Sequence, residues 1–66
     1  MRASINGEER DVRRGTTLFD LLQQLGIAMR GVAVARNDRV IGRAQLADEQ
    51  IEEGDRIEII RAVAGG

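Results

Sequence analysis

Cysteine, histidine, lysine, proline, tryptophan and tyrosine are all missing from these 66 residues, and Phe19 is the lone aromatic. Without cysteine there is no disulfide, no thiol catalysis and no thiolate metal site, and a cytoplasmic home is the default expectation. Every one of the ten basic residues is arginine. No side chain can therefore form a Schiff base or accept an isopeptide bond. The only side-chain hydroxyls are those of Ser4, Thr16 and Thr17, and no histidine or lysine stands ready to activate them. The acidic pairs Glu8 with Glu9, Asp48 with Glu49, and Glu52 with Glu53 sit in turn-like polar stretches and read as solvated surface. A chain so equipped is not expected to be an enzyme.

Other absences narrow the partners. The ten arginines are interspersed with eleven carboxylates for a net charge of −1, and one aromatic makes no stacking platform, so nucleic acid is not expected as a ligand. No apolar run is long enough to span a bilayer, so no membrane is expected either. The opening "MRASINGEER" turns polar within its first residues, unlike a signal peptide. The length suits one small domain of marginal stability, a monomer when free. Without proline, its stiffness must come from hydrogen-bonded elements.

What is present is periodic. Met1, Ala3 and Ile5 alternate with Arg2 and Ser4, the signature of a strand with one buried face. Asn6-Gly7 follows, a two-residue hairpin signal because a type I′ turn needs positive φ at both central positions. The return strand, about residues 8 to 13, is charged apart from Val12, as an edge strand should be. Gly15 and Thr16 then break the pattern. "TLFDLLQQLG" predicts a helix, with Thr17 as cap and Asp20 in the first turn. Leu18, Leu21, Leu22 and Leu25 form one apolar stripe. Gly26 suits a left-handed C′ position, with Ile27 folding back on the last turn. Phe19 lies off the centre of the stripe and is expected to be partly exposed or to flank the core.

From Gly31 the period returns to two, with Val32 and Val34 on one face and Ala33 and Ala35 on the other. Asn37-Asp38 predicts a turn before a short strand at 39–41. "GRAQLADEQI" reads as a loop with one helical turn, pinned by Leu46 and Ile51. After a turn at Glu53-Gly54-Asp55, "RIEIIRAV" is the final strand, rich in Ile. Strand, strand, helix, strand, short strand, loop, strand predicts an α+β sandwich of two layers, with one main helix packed on one face of a mixed sheet of four to five strands. The apolar last strand belongs at its centre, parallel to the first. The chain then ends on Ala-Gly-Gly.

"NG" at 6–7, "TLFDLLQQL" at 17–25, "VAVARN" at 32–37, "VIGR" at 40–43, "EEGDRIEII" at 52–60 and the terminal "GG" together resemble the ThiS family, the sulfur carriers of thiamine biosynthesis in the ubiquitin-like β-grasp superfamily. The resemblance spans nearly the whole chain. It implies a β-grasp domain over 1–63, a flexible tail over 64–66, and Gly66 as the sulfur-carrying residue behind Gly65 and Ala64. In that family a ubiquitin-activating-like adenylyltransferase of the ThiF type uses ATP and magnesium to adenylate the terminal carboxylate. Sulfur from a donor system such as a cysteine desulfurase then replaces AMP, leaving a thiocarboxylate that a thiazole synthase of the ThiG type consumes. The chain itself is expected to bind no cofactor or metal. Arg43 matches a position often held by Arg in the family, and the sequence assigns it no chemical role.

Such a tail must be delivered into another protein's site, so a docking surface is expected at the sheet end beside it. If Ile57 and Ile59 face the helix, then Glu58, Ile60 and Ala62 face outward, and Ile60 has no core duty. Ile60, Ala62, Val63, Ala33 and Ala35 are the candidate docking residues, an exposed apolar patch of the kind that marks partner sites. The competing reading is a small sheet with Ile60 half-buried. Arg61 could pair with acidic groups on a partner. Three other functions share the pattern. A sulfur carrier for molybdopterin synthesis or tRNA thiolation would keep the chemistry, although molybdopterin carriers are typically longer and often carry proline near the end. A ubiquitin-like modifier would join Gly66 to other proteins, and a plain interaction module would not use Gly66 at all.

Overall fold

The computed structural model describes residues 1–61. In chain order these form β1 (Arg2–Ile5), β2 (Glu8–Asp11), α1 (Leu18–Gln24), β3 (Val32–Arg36), β4 (Arg39–Ile41), a 3-10 turn (Arg43–Gln45) and β5 (Arg56–Arg61). The strands make one sheet in the order β2-β1-β5-β3-β4. Its pairs are antiparallel except β1 with β5, which run parallel. The last strand is thus central and parallel to the first, as its apolar composition predicts.

Both hairpins turn where the sequence places them. Asn6 (φ 52°) and Gly7 (φ 83°) join β1 to β2, and Asn37 (φ 51°) and Asp38 (φ 71°) join β3 to β4. Two consecutive positive-φ residues define the tight turn whose twist matches the strands, and Asn, Asp and Gly tolerate that region best. The strand β2 ends at Asp11 rather than near residue 13. Pairing nevertheless reaches the buried Val12, whose N–H donates to the Met1 carbonyl at 2.7 Å.

The helix α1 is short, and its ends are closed by named groups. Thr17 Oγ1 accepts from the Asp20 N–H at 3.0 Å while the Asp20 carboxylate accepts from the Thr17 N–H at 3.1 Å, a reciprocal capping box. The two N–H groups before Asp20 go to the long loop: Leu18 N–H donates to the Glu49 carbonyl and Phe19 N–H to the Leu46 carbonyl. Every orphan donor of the first turn is thereby satisfied. At the other end Ile27 N–H reaches Leu22 O at 2.9 Å and Gly26 N–H reaches Gln23 O at 3.1 Å. With Gly26 at φ 71° this is a Schellman motif, which only a residue without Cβ enters freely.

The core lies between α1 and one face of the sheet. Leu18, Leu21 and Leu22 meet Ala3, Ile5, Val34, Ile57 and Ile59, with Leu46 and Ile51 of the loop closing one side. Ile57 is wholly buried. Leu25, Ile27 and Phe19 are partly buried against this cluster, so Phe19 flanks the core.

One sequence expectation fails in the loop. Glu49, read as solvated, is half-buried and accepts from Arg36 Nη1 at 2.7 Å. Arg36 also donates Nε to Asp55 Oδ2 at 2.9 Å and stands 3.6 Å from Glu52. A single guanidinium at the end of β3 therefore gathers three carboxylates from the loop preceding β5. The reason is positional: the loop must return to the sheet beside β3, and its acids face the guanidinium at that strand's end.

Candidate functional site

Register decides which side chains share the sheet face away from α1. Ala33 stands opposite Ile60, and Ala35 stands between Val40 and Glu58. Ile60 is 58% exposed and Val40 71%. Ile60 thus has no place in the core, and the reading of it as half-buried falls. Ala33 is exposed beside it.

Ala35 is a correction. Expected to face outward on the docking surface, it is only 8% exposed. It does point away from the helix, but one methyl group between the longer side chains of Val40 and Glu58 keeps almost no free area. The usable apolar surface among the described residues is therefore Ile60 with Ala33, and Val40 farther along the face. Ala62, Val63, Ala64, Gly65 and Gly66 lie outside the described residues.

The end of the sheet from which the chain leaves β5 is built by three local devices. Asn6 in the first turn accepts the Ile59 N–H on its side-chain oxygen at 2.8 Å, and its own N–H donates to the Ile57 carbonyl at 2.9 Å. The turn is thereby stitched to β5 where the strand passes it. Arg43 Nη2 donates to the Met29 carbonyl at 3.2 Å, fixing the segment that leads from α1 into β3. This structural role was invisible in the sequence, because donor and acceptor lie fourteen residues apart. Arg61, the last residue of β5, pairs with Val32 in register and is exposed.

The opposite end of the sheet carries the polar centre. Asp55, 7% exposed, accepts from Arg36 Nε, from Asn37 Nδ2 at 3.1 Å and from the Glu52 N–H at 2.8 Å. Asn37 in turn accepts the Arg56 N–H at 2.9 Å. Arg56 pairs with Asp38, whose hydrogen bond and charge hold the guanidinium above its usual pKa. Sequence reasoning took Asp55 as a turn residue only. The one available signal was an acid directly after Glu-Gly, where a carboxylate can accept a backbone N–H three residues back.

Among the described residues no buried side-chain polar atom lacks a hydrogen-bond partner. The Thr17 hydroxyl is committed to the helix cap. No helix among them is long and apolar enough to cross a membrane. Among them no group of three or more acidic side chains is gathered so as to hold a metal ion. The Arg36 centre does not count as one, since the guanidinium occupies the position a cation would take.

A five-stranded mixed sheet with one helix laid across it, its central strand leading to the chain's end, is the ubiquitin-like β-grasp class. A sequence model of the ThiS family matches residues 3–66, and the chain belongs to that family. The sulfur carrier protein ThiS of Escherichia coli is 32% identical over 66 residues, covering all of both chains. The crystal structure of the thiamine biosynthesis protein ThiS from Geobacter metallireducens superposes with a TM-score of 0.82 at 26% identity, again over all of both chains. A thiazole synthase of Paramagnetospirillum magneticum is 38% identical over 66 residues. The match takes in all of this chain but only 20% of that synthase, so the chain spans a fifth of its length.

Proposed function

We propose that this chain is a sulfur carrier of thiamine biosynthesis that delivers sulfur for thiazole formation, acting as co-substrate rather than as an enzyme. The observation that carries the reading is the ThiS family match running to residue 66, through the Gly-Gly end. End-to-end similarity to a protein named as a sulfur carrier supports it.

The chemistry accounts for the residues. A carboxylate is a poor electrophile, so the Gly66 carboxylate attacks the α-phosphate of ATP in a partner of the ThiF type, releasing pyrophosphate and forming an acyl adenylate. Sulfide-level sulfur from a donor such as a cysteine desulfurase then displaces AMP; where a persulfide delivers it, a thiol reductant cleaves the acyl disulfide first formed. The product is a thiocarboxylate on Gly66. ATP and magnesium belong to the partner's site; this chain contributes the acyl group and the surface that brings it there. Glycine at 65 and 66 adopts whatever backbone angles a narrow channel imposes, and absence of Cβ leaves the carbonyl open to attack.

Ordering a tail on binding costs entropy, which contacts made by the folded domain must offset. Ile60 and Ala33 present the exposed apolar contact nearest to where the chain leaves β5, with Ala62 and Val63 following in sequence. The acceptor of the sulfur is a thiazole synthase of the ThiG type. Support comes from a thiazole synthase chain that contains a segment 38% identical to this one, because a carrier and its customer gain effective concentration when joined. All of these steps take place in the cytoplasm on this reading.

The test is intact mass. Purified chain is incubated with its cognate adenylating enzyme, ATP, magnesium and a sulfur donor. The expected result is the mass gain of exchanging one oxygen for sulfur, located to Gly66 by fragmentation. Finding neither adenylate nor thiocarboxylate under those conditions would sink the proposal.

A further inference from the structure

Arginines gather where the chain leaves β5: Arg10 and Arg61 line one concave surface with Glu8, and Arg30 and Arg61 line another. Arg43 holds the segment that leads into β3 beside them.

Two of these cations have no internal use. Arg10 pairs with Glu8 and Arg43 binds the Met29 carbonyl. Arg30 and Arg61, both exposed, have no carboxylate within ion-pair distance among the described residues and make no side-chain hydrogen bond there. They line one concave surface, floored by Gly26, Ala28, Gly31 and Val32, just beyond the C-terminal end of α1. Two glycines and an alanine beside Val32 leave little side-chain bulk around the two guanidinium groups.

We propose that Arg30 and Arg61 form a cationic docking pair that receives acidic side chains at the mouth of the adenylating partner's channel. This rests on the carrier reading above and adds to it the chemistry of the partner's rim. The nucleotide itself is the less suitable occupant. Five residues separate Arg61 from the Gly66 carboxylate, so a tail extended into a channel sets the α-phosphate up to about 17 Å beyond Arg61. At that distance the guanidinium groups face the entrance, not the reaction. Cations at a rim act on encounter: they orient this surface, and with it the tail, toward a negative opening before contact is made.

The test measures ATP-dependent adenylation of the chain by its cognate enzyme as a function of chain concentration and of salt. Arg30→Glu with Arg61→Glu should raise the KM for the chain about tenfold or more, leave kcat near that of the parent, and flatten the salt dependence. The variant with lysine at both positions should behave like the parent. Arg13→Glu with Arg39→Glu, an equal charge change away from the exit, should change little. Thermal melting of all variants checks that each is folded. If the reversal at 30 and 61 leaves KM and salt slope unchanged, or if the distant reversal does as much, the proposal is overturned while the carrier reading stands. A defect confined to the KM for ATP assigns the pair to the nucleotide and also overturns it. A parent chain that is never adenylated overturns both.

Discussion

Asp55 Oδ2 lies 2.9 Å from Arg36 Nε, and the two side chains keep only 8% and 16% of their surface exposed. The pair joins the end of β3 to the start of β5, on the side of the sheet away from the chain's exit. Asn37 and the Glu52 N–H complete the carboxylate's hydrogen bonds, and Glu49 completes the guanidinium's. An ion pair of this kind adds little over an apolar replacement, but removing one partner strands the other's charge. Arg36→Ala is therefore expected to cost about 3 kcal/mol, a large share of the stability of a domain this small. Urea unfolding followed by circular dichroism measures it; a loss below about 1 kcal/mol would mean that water satisfies Asp55 instead.

The helix cap makes a second, smaller prediction. Thr17→Ala removes the acceptor for the Asp20 N–H and frees the Asp20 carboxylate from its return bond. The expected cost is about 1 kcal/mol, which in a domain of this size lowers the melting temperature by roughly 4–8 °C. Thr17→Ser, which keeps the oxygen, should recover most of it.

Both hairpins, the helix and its two ends could be read in advance because each is set by residues adjacent in sequence. Asn6-Gly7 and Asn37-Asp38 accept positive φ, Thr17 and Asp20 cap each other three residues apart, and Gly26 ends the helix. Ile60 could be placed outward because a strand alternates. The Arg36 centre could not, since its partners stand 13 to 19 residues away and each sits among other charges. Nor could the burial of Ala35, which depends on the side chains flanking it in neighbouring strands rather than on its own position along β3. The role proposed for Gly66 rests on family resemblance and chemistry together, as nothing in its neighbours' periodicity marks it.

Exposure of Ile60 separates docking from folding. A polar substitution there gives up little burial, so Ile60→Ser should leave the urea midpoint nearly unchanged, whereas Ile57→Ala, which empties a wholly buried site, should cost about 2–5 kcal/mol. Truncating a residue that anchors the centre of an interface weakens association by more than about 1 kcal/mol, and Ile60 is placed to be such an anchor. The KM for Ile60→Ser in adenylation is therefore expected to rise roughly fivefold or more. Val40→Ser, on the edge strand and two register rows farther from the exit, is the comparison and should matter less. Equal effects would move the contact to the middle of the face.

Deleting Gly66 tests the tail without touching the domain. The product still ends in a glycine carboxylate, now that of Gly65, so the reacting group is chemically the same. It is about 3.4 Å shorter in reach. Misplacing a reacting atom by even about 1 Å can cost a hundredfold in rate, and adenylation is expected to fall at least that far while melting stays unchanged. Gly66→Ala makes the complementary change, restoring length and adding a Cβ next to the carbonyl. A defect in the deletion alone would assign the requirement to reach, and a defect in both would add the need for an unhindered acyl carbon. Full adenylation and sulfur transfer by the deletion variant would mean that the Gly65 carboxylate serves as well, and would remove the specific requirement for Gly66.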